Sequence, residues 1–115
     1  MDYTAFLPDI DVEDGKARVM GNLKLYLRLL GRFDGAKMAD AIVQAASAGD
    51  RTVVVQATHA LRGTAANLGF PVVRKIAEEI ETLSKAGEDC AHLLAPLNDA
   101  VEALSASIVN LLAEQ

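Results

Sequence analysis

The sequence predicts an all-α protein, an antiparallel up-down four-helix bundle with scope for a short extra helix at its N-terminus. Apolar residues recur roughly every three to four positions, and no segment shows the two-residue alternation of a half-buried strand. Glycines at positions 49, 69 and 87 separate the apolar stretches by short turns, which favours antiparallel neighbours over an orthogonal arrangement. Because 115 residues support one core, we expect a single domain over 1–115, with residues 1–10 as an extended lead-in.

The first part of the chain is predicted to form one short and one long helix. The short helix covers Val12–Met20 and ends at the glycine that follows. Asn22 is a suitable N-cap for a long helix that continues to Gly49. Within it, Gly31 and Gly35 each weaken the helix by about 1 kcal/mol relative to alanine, so we expect a local bend there.

Three further helices follow, each marked by a start or stop signal. Asp50 is a suitable N-cap for a helix over Arg51–Leu68, which ends at the next glycine. Another helix begins at Pro71, where the missing N–H is harmless in the first turn. The last helix covers about 91–112, and Pro96 either kinks it or moves its start to the residue before the proline.

Composition and charge exclude several classes of function. The net charge is −5 at pH 7, so we expect no nucleic-acid partner and no attraction to an anionic membrane. The acidic N-terminus lacks the basic start and apolar run of a signal peptide, and no stretch approaches the roughly 18 apolar residues of a membrane span. A cytoplasmic protein is therefore expected. A lone cysteine, Cys90, excludes an intrachain disulfide, and we expect neither a metal site nor a cofactor.

The stretch "THALRGTAANLG", residues 58–69, is unusual for a structural helix. Helical phase turns His59 about 160° away from the middle of the predicted core face, onto the outside. Gly63 lies on the same outer side, where it weakens the helix by about 1 kcal/mol and fills no packing site. Ala66 is also small, so a bare strip lies beside the imidazole. The predicted core face consists of Val54, Ala57, Leu61, Thr64, Ala65 and Leu68.

The chemistry available at His59 favours transfer of a group onto the ring. A neutral imidazole nitrogen is a nucleophile near neutral pH. The chain offers no partner spaced for a hydrolytic triad, no glycine-rich phosphate loop, and no second histidine four residues later. Phosphoryl fits best, because Arg62 lies within one helical turn and can hydrogen-bond phosphate oxygens. Phosphoryl transfer depends mostly on such positioning.

The same stretch resembles the signature of histidine-containing phosphotransfer (HPt) domains, which lies on the second helix of a four-helix bundle. The resemblance implies that His59 is phosphorylated through Nε2 and that Arg62, where the family more often has Lys, stabilises the phosphate. It also implies that Gly63, with Ala66, gives clearance to the active-site loops of a receiver domain. The segment 11–33 resembles the lead-in of such domains as well. The matching positions are His59, Leu61, Arg62, Gly63, Thr64, Leu68 and Gly69.

The resemblance implies supporting roles for residues outside the signature. HPt domains tend to place a Gln or Glu against the other imidazole nitrogen, and that position is Glu81 here, 22 residues past the histidine. A carboxylate that accepts Nδ1–H would leave Nε2 free, whereas a merely solvated Glu81 is the alternative. Gln56 is another candidate for orienting the ring or for docking. Arg74 and Lys75 are candidates for the rim of the docking face.

The resemblance implies a phosphoryl carrier without its own ATP site, and so not an enzyme in the strict sense. It would accept phosphoryl from a receiver-domain aspartate on His59 and pass it to another receiver domain. Its partners would be response-regulator receiver domains and a hybrid histidine kinase. Four helices in one chain make a monomer sufficient, and the length favours a separate shuttle protein.

Two other hypotheses remain open. One is a helical protein–protein interaction module whose His59 is never phosphorylated, and in which the bare strip simply docks a partner. The other is a metal-assisted or general-base enzyme that uses His59. This second hypothesis has the least support, because no cluster of Asp, Glu or Cys is spaced to converge on that histidine.

Overall fold

A computed structural model describes residues 2–115, and within that range the chain is all-α, as predicted. None of the helices in residues 2–115 is long and apolar enough to cross a bilayer. Short 3₁₀ turns lie at Thr4–Phe6 and Ala91–Leu93. The α-helices are α1 Val12–Ala17, α2 Leu23–Arg32, α3 Gly35–Ser47, α4 Arg51–Leu68, α5 Pro71–Lys85 and α6 Leu94–Ala113.

Helices α3 to α6 form the predicted four-helix bundle. Helix α4 packs against α3 and α5, and α6 packs against the same two helices, so that the four enclose one core. Each helix contributes fully buried aliphatic side chains, and burying one of them stabilises the fold by about 1.5–3 kcal/mol. Examples, one from each of α3 to α6 in order, are Ile42, Leu61, Ile80 and Leu104.

Helix α4 has the boundaries that the sequence predicts. The Asp50 carboxylate accepts a hydrogen bond from Val53 N at 3.2 Å, which caps the first turn. At the other end Gly69 adopts φ +79°, a left-handed conformation that suits glycine, and its N–H donates to the Ala65 carbonyl. Both ends of the helix that carries the unusual stretch are therefore fixed locally.

The inward face of α4 differs from the prediction at three positions. Thr58 is fully buried, whereas Ala57 and Thr64 are only half-buried. The Thr58 hydroxyl donates to the Val54 carbonyl at 2.7 Å, so its polar group is satisfied inside the helix. A small side chain with an internal hydrogen bond is thus accepted in the core immediately before His59.

The prediction of one long helix over 22–49 is wrong, because the chain breaks between α2 and α3. Phe33 is extended, with ψ 120°, and its ring packs 4.9 Å from that of Phe70. Asp34 is the N-cap of α3, since its carboxylate accepts from the backbone N–H three residues later at 3.1 Å. A Cβ on Gly35 would lie 2.7 Å from the Phe33 ring, so glycine is needed there. The expected bend is therefore a complete interruption.

The lead-in and the first helix also differ from expectation. The prediction of an extended lead-in is wrong over Thr4–Phe6, where a 3₁₀ turn lets Phe6 bury its ring in the core. Met1 lies outside the described residues. Helix α1 ends at Ala17 rather than at Met20, because Met20 and Gly21 both adopt positive φ in the turn that follows.

Helices α1 and α2 are fastened to the C-terminal end of α4. Tyr26 of α2 is fully buried, and its hydroxyl donates to the Leu68 carbonyl at 2.6 Å. Gly15 of α1 leaves no room for a side chain, since a Cβ there would meet the Tyr26 ring and the same carbonyl. Burial, with the charges of Asp11 and Asp14 nearby, raises the pKa of Tyr26. These contacts join α1 and α2 to the last turn of α4.

Candidate functional site

His59 lies at the middle of α4 on its outer face, where helical phase predicts it. Its side chain is 64% exposed, although Thr58 before it and Leu61 after it are fully buried. The ring is therefore neither enclosed between helices nor covered by another part of the described chain. An imidazole in this position can be reached by a second protein.

A buried carboxylate holds one edge of the His59 ring. Glu81 on α5 is only 6% exposed, and its Oε2 lies 2.9 Å from Nδ1 of His59. An ionised carboxylate only accepts hydrogen bonds, so this contact is a hydrogen bond when Nδ1 carries the proton and donates it. In that tautomer the lone pair of a neutral ring is on Nε2.

Arg62 lies on the same edge of the ring. Its Nη2 is 2.9 Å from Nδ1 of His59, and its side chain is 36% exposed. Its Nε is 3.1 Å from Oε1 of Glu81 but forms no hydrogen bond with the described residues. The guanidinium therefore lies beside Nδ1 and the carboxylate.

Lys85 completes the cluster, and sequence analysis missed it. Its Nζ lies 3.8 Å from Oε2 of Glu81, one helical turn further along α5. The i, i+4 spacing of Glu81 and Lys85 is the signal that could have identified it. With His59 and Arg62, the buried carboxylate thus has three neighbours that carry or can carry positive charge, which compensates for its removal from water.

The bare strip, formed by Gly63 and Ala66 beside His59, runs along the outside of α4. Apart from its chain neighbours and the adjacent backbone of α4, a Cβ on Gly63 would have no described atom within 4 Å, so this glycine is not required for packing within the chain. Ala66 is half-buried and lines a cleft of about 290 Å³ at the junction of α1, α4 and α5, together with Arg74. A partner surface can therefore approach the backbone of α4 beside the imidazole.

The remaining predicted residues do not join the cluster. Gln56 and Lys75 are exposed, and within residues 2–115 neither side chain forms a hydrogen bond or an ion pair. Arg74 is exposed and pairs with Glu78 of the same helix at 3.2 Å. The structure thus brings together His59, Arg62 and Glu81 and leaves the other three on the surrounding surface.

Comparison with family models shows which protein family the chain belongs to. The sequence model described as Hpt domain matches residues 33–107, about two thirds of the chain. The chain belongs to the Hpt domain family. The matched range begins at the break before α3 and covers most of the four-helix bundle, whereas α1 and α2 lie outside it. Comparisons with curated proteins and with solved structures returned no match.

Membership of this family gives the site its general context. An Hpt domain is a phosphotransfer module of two-component signalling, and such domains act as phosphocarriers rather than as typical enzymes. They interact with receiver domains and kinases in phosphorelays. The resemblance carried by residues 58–69 is thus confirmed at the level of the family.

Proposed function

We propose that this Hpt domain is the intermediate of a multistep phosphorelay, which accepts phosphoryl on His59 from a receiver-domain aspartate and passes it to another receiver domain. The observation that carries the proposal is the exposed His59 ring with the buried Glu81 carboxylate 2.9 Å from Nδ1. With a proton on Nδ1 that donates to Glu81, this pair presents Nε2 as a nucleophile to a partner.

The transfer step follows from that geometry. The Nε2 lone pair attacks the phosphorus of the aspartyl phosphate, the N–P bond forms, and the P–O bond breaks with its electron pair returning to the aspartate. The ring then carries phosphoryl on Nε2 and a proton on Nδ1, and is therefore positive. The Glu81 carboxylate balances this charge at 2.9 Å. Attack by a second aspartate on the same phosphorus reverses these steps.

Arg62 and the bare strip would serve the approach of the partner. Rotation of the flexible Arg62 side chain from the Nδ1 side would bring its guanidinium to the phosphoryl oxygens, which it can bind in a bidentate manner. Gly63 and Ala66 leave the space in which the aspartyl phosphate reaches an in-line position. Arg74 and Lys75, both exposed, suit the acidic surroundings of a receiver aspartate.

The test is transfer from phosphorylated receiver domains of the same host. We expect an acid-labile, base-stable label on the wild-type chain and none on H59Q, in which the other histidine, His92, is intact. Binding of the receivers by H59Q should persist, because the strip is unchanged. A wild-type chain that stays unlabelled with every receiver would contradict the proposal. Unlabelled wild type that still binds receivers would favour an interaction module instead.

A further inference from the structure

Nδ1 of His59 has two neighbours that require opposite protonation states. Oε2 of Glu81 and Nη2 of Arg62 both lie 2.9 Å away. The carboxylate can only accept, so it needs a proton on Nδ1, whereas the guanidinium can only donate, so it needs a lone pair there. The single in-plane position on a ring nitrogen holds either a proton or a lone pair. The hydrogen bonds to Glu81 and from Arg62 therefore exclude each other.

The choice between them decides whether Nε2 can react. When Nδ1–H donates to Glu81, the neutral ring has its lone pair on Nε2, which faces away from the cluster. When Arg62 donates to Nδ1, the proton is on Nε2, and this nitrogen has no lone pair with which to attack phosphorus. The two forms interconvert by loss of one ring proton to water and gain of another, so that the proton count is unchanged.

We propose that Arg62, in the position seen here, is a brake on the resting site, because its hydrogen bond to Nδ1 holds the proton on Nε2 until a partner draws the guanidinium away. The effect on phosphoryl transfer rests on the proposed function, whereas the tautomer control itself does not. Arg62 is thus a positioning residue in the free protein, before any contact with phosphoryl.

The surroundings of Arg62 suit a brake that can be released. The Glu81 carboxylate attracts Nε at 3.1 Å, and this contact keeps the guanidinium beside the ring. Nε forms no hydrogen bond there, and about a third of the side chain is exposed. The guanidinium is therefore held beside the ring only in part. A docked aspartyl phosphate offers several charged acceptor oxygens, which form stronger and bidentate hydrogen bonds with a guanidinium. Docking would therefore remove Arg62 from Nδ1, so that the ring proton is held on Nδ1, from which it donates a hydrogen bond to Glu81.

The first test is the tautomer of His59 in the free protein, measured by ¹⁵N NMR of the histidine rings. We expect the wild type to populate the form with a proton on Nε2, and R62M to shift His59 to the form with a proton on Nδ1. R28M is the matched control, since Arg28 is exposed on α2 and forms no ion pair within residues 2–115. R62Q is a second variant in which the guanidinium is absent.

The second test is the rate at which diethyl pyrocarbonate modifies His59, with exposed His92 as the internal reference. If the two forms are equally populated in the wild type, R62M should react about twofold faster, and more if the braked form dominates. Unchanged tautomer populations in both R62M and R62Q, or a wild-type His59 found only with the proton on Nδ1, would overturn the proposal. Neither measurement involves a receiver domain, so failure here is distinct from failure of transfer to His59.

Discussion

At the scale of single residues, the site depends on a buried carboxylate at the Nδ1 edge of an exposed imidazole ring. The sequence predicts the outward position of His59 from helical phase and the candidacy of Glu81 from resemblance. It does not predict that Arg62 turns toward Nδ1, nor that Lys85 approaches the same carboxylate, because these positions depend on side-chain rotation across the contact of α4 and α5. Periodicity gives the face of a helix and not the direction of a long side chain.

Replacement of Glu81 separates the function of the site from the stability of the fold. In E81L the ring loses its acceptor, and we expect transfer to fall by roughly 10- to 100-fold, the effect of misplacing a reacting group. The free energy of unfolding should change little, because the two cations that lose this partner, Arg62 and Lys85, are 36% and 59% exposed and remain solvated. E81Q, which retains an acceptor oxygen, should transfer faster than E81L. Equal transfer by the two variants would argue against a hydrogen bond to Nδ1.

Gly63 offers an equally direct test, with Gly31 as its matched control. Both are exposed glycines inside helices, and a Cβ at Gly31 would make only an ordinary contact, 3.9 Å from Leu112. Substitution by glutamine should raise the free energy of unfolding by about 0.5 kcal/mol at either site, because glycine is the poorer helix former. Only G63Q should reduce phosphotransfer, measured as the initial rate of labelling from a phosphorylated receiver. Normal transfer by G63Q would show that the bare strip is not needed.

At the scale of elements, the glycine and cap signals predict α4 and α5 well, and the main error is the single helix expected over 22–49. Apolar spacing continues through the break, which is why periodicity alone joins α2 to α3. The cause of the break is tertiary, because an extended backbone at Phe33 lets its ring pack against that of Phe70. The local sign was Asp34, a residue that favours N-caps over helix interiors.

The substitution D34A tests whether the chain is interrupted there. An N-cap aspartate replaced by alanine should lower the free energy of unfolding by about 1 kcal/mol, measured by chemical denaturation. Inside a continuous helix the same change would instead stabilise, since alanine is the better helix former. D40A is the control, because Asp40 is an exposed residue within α3, and no loss of comparable size is expected there. A D34A protein as stable as the wild type would contradict the cap.

At the scale of the whole molecule, the bundle that matches the family is supplemented by two helices that the match does not include. Helices α1 and α2 are joined to α4 through Tyr26 and Gly15, at the C-terminal end of the helix that carries His59. The sequence predicts a short helix in front of the bundle, but it gives no sign that a tyrosine from α2 reaches the Leu68 carbonyl, 42 residues later. Contacts between segments so distant in sequence leave no local pattern to identify.

The raised pKa of Tyr26 predicts how this attachment depends on pH. Folded Tyr26 stays neutral above about pH 10, the ordinary pKa of tyrosine, at which it already ionises in the unfolded chain. Its contribution to stability is therefore complete below about pH 10 and is lost as the pH rises further, by up to about 1.4 kcal/mol per pH unit. Chemical denaturation at about pH 8 should show that Y26F is less stable than the wild type by about 1 kcal/mol. At about pH 11 the difference in the free energy of unfolding should be smaller or reversed. A difference that does not change with pH would contradict the raised pKa.

The buried position of Tyr26 has a practical consequence for spectroscopy. The chain has no tryptophan and only two tyrosines, Tyr3 and Tyr26, and both precede the matched range. Intrinsic ultraviolet emission from this protein therefore comes mainly from chromophores in the N-terminal segment, one of them enclosed beside α4. A change in the Tyr26 part of that emission, isolated by comparison with Y26F, would report release of α2 from the bundle, an event that a label on the imidazole would not reveal.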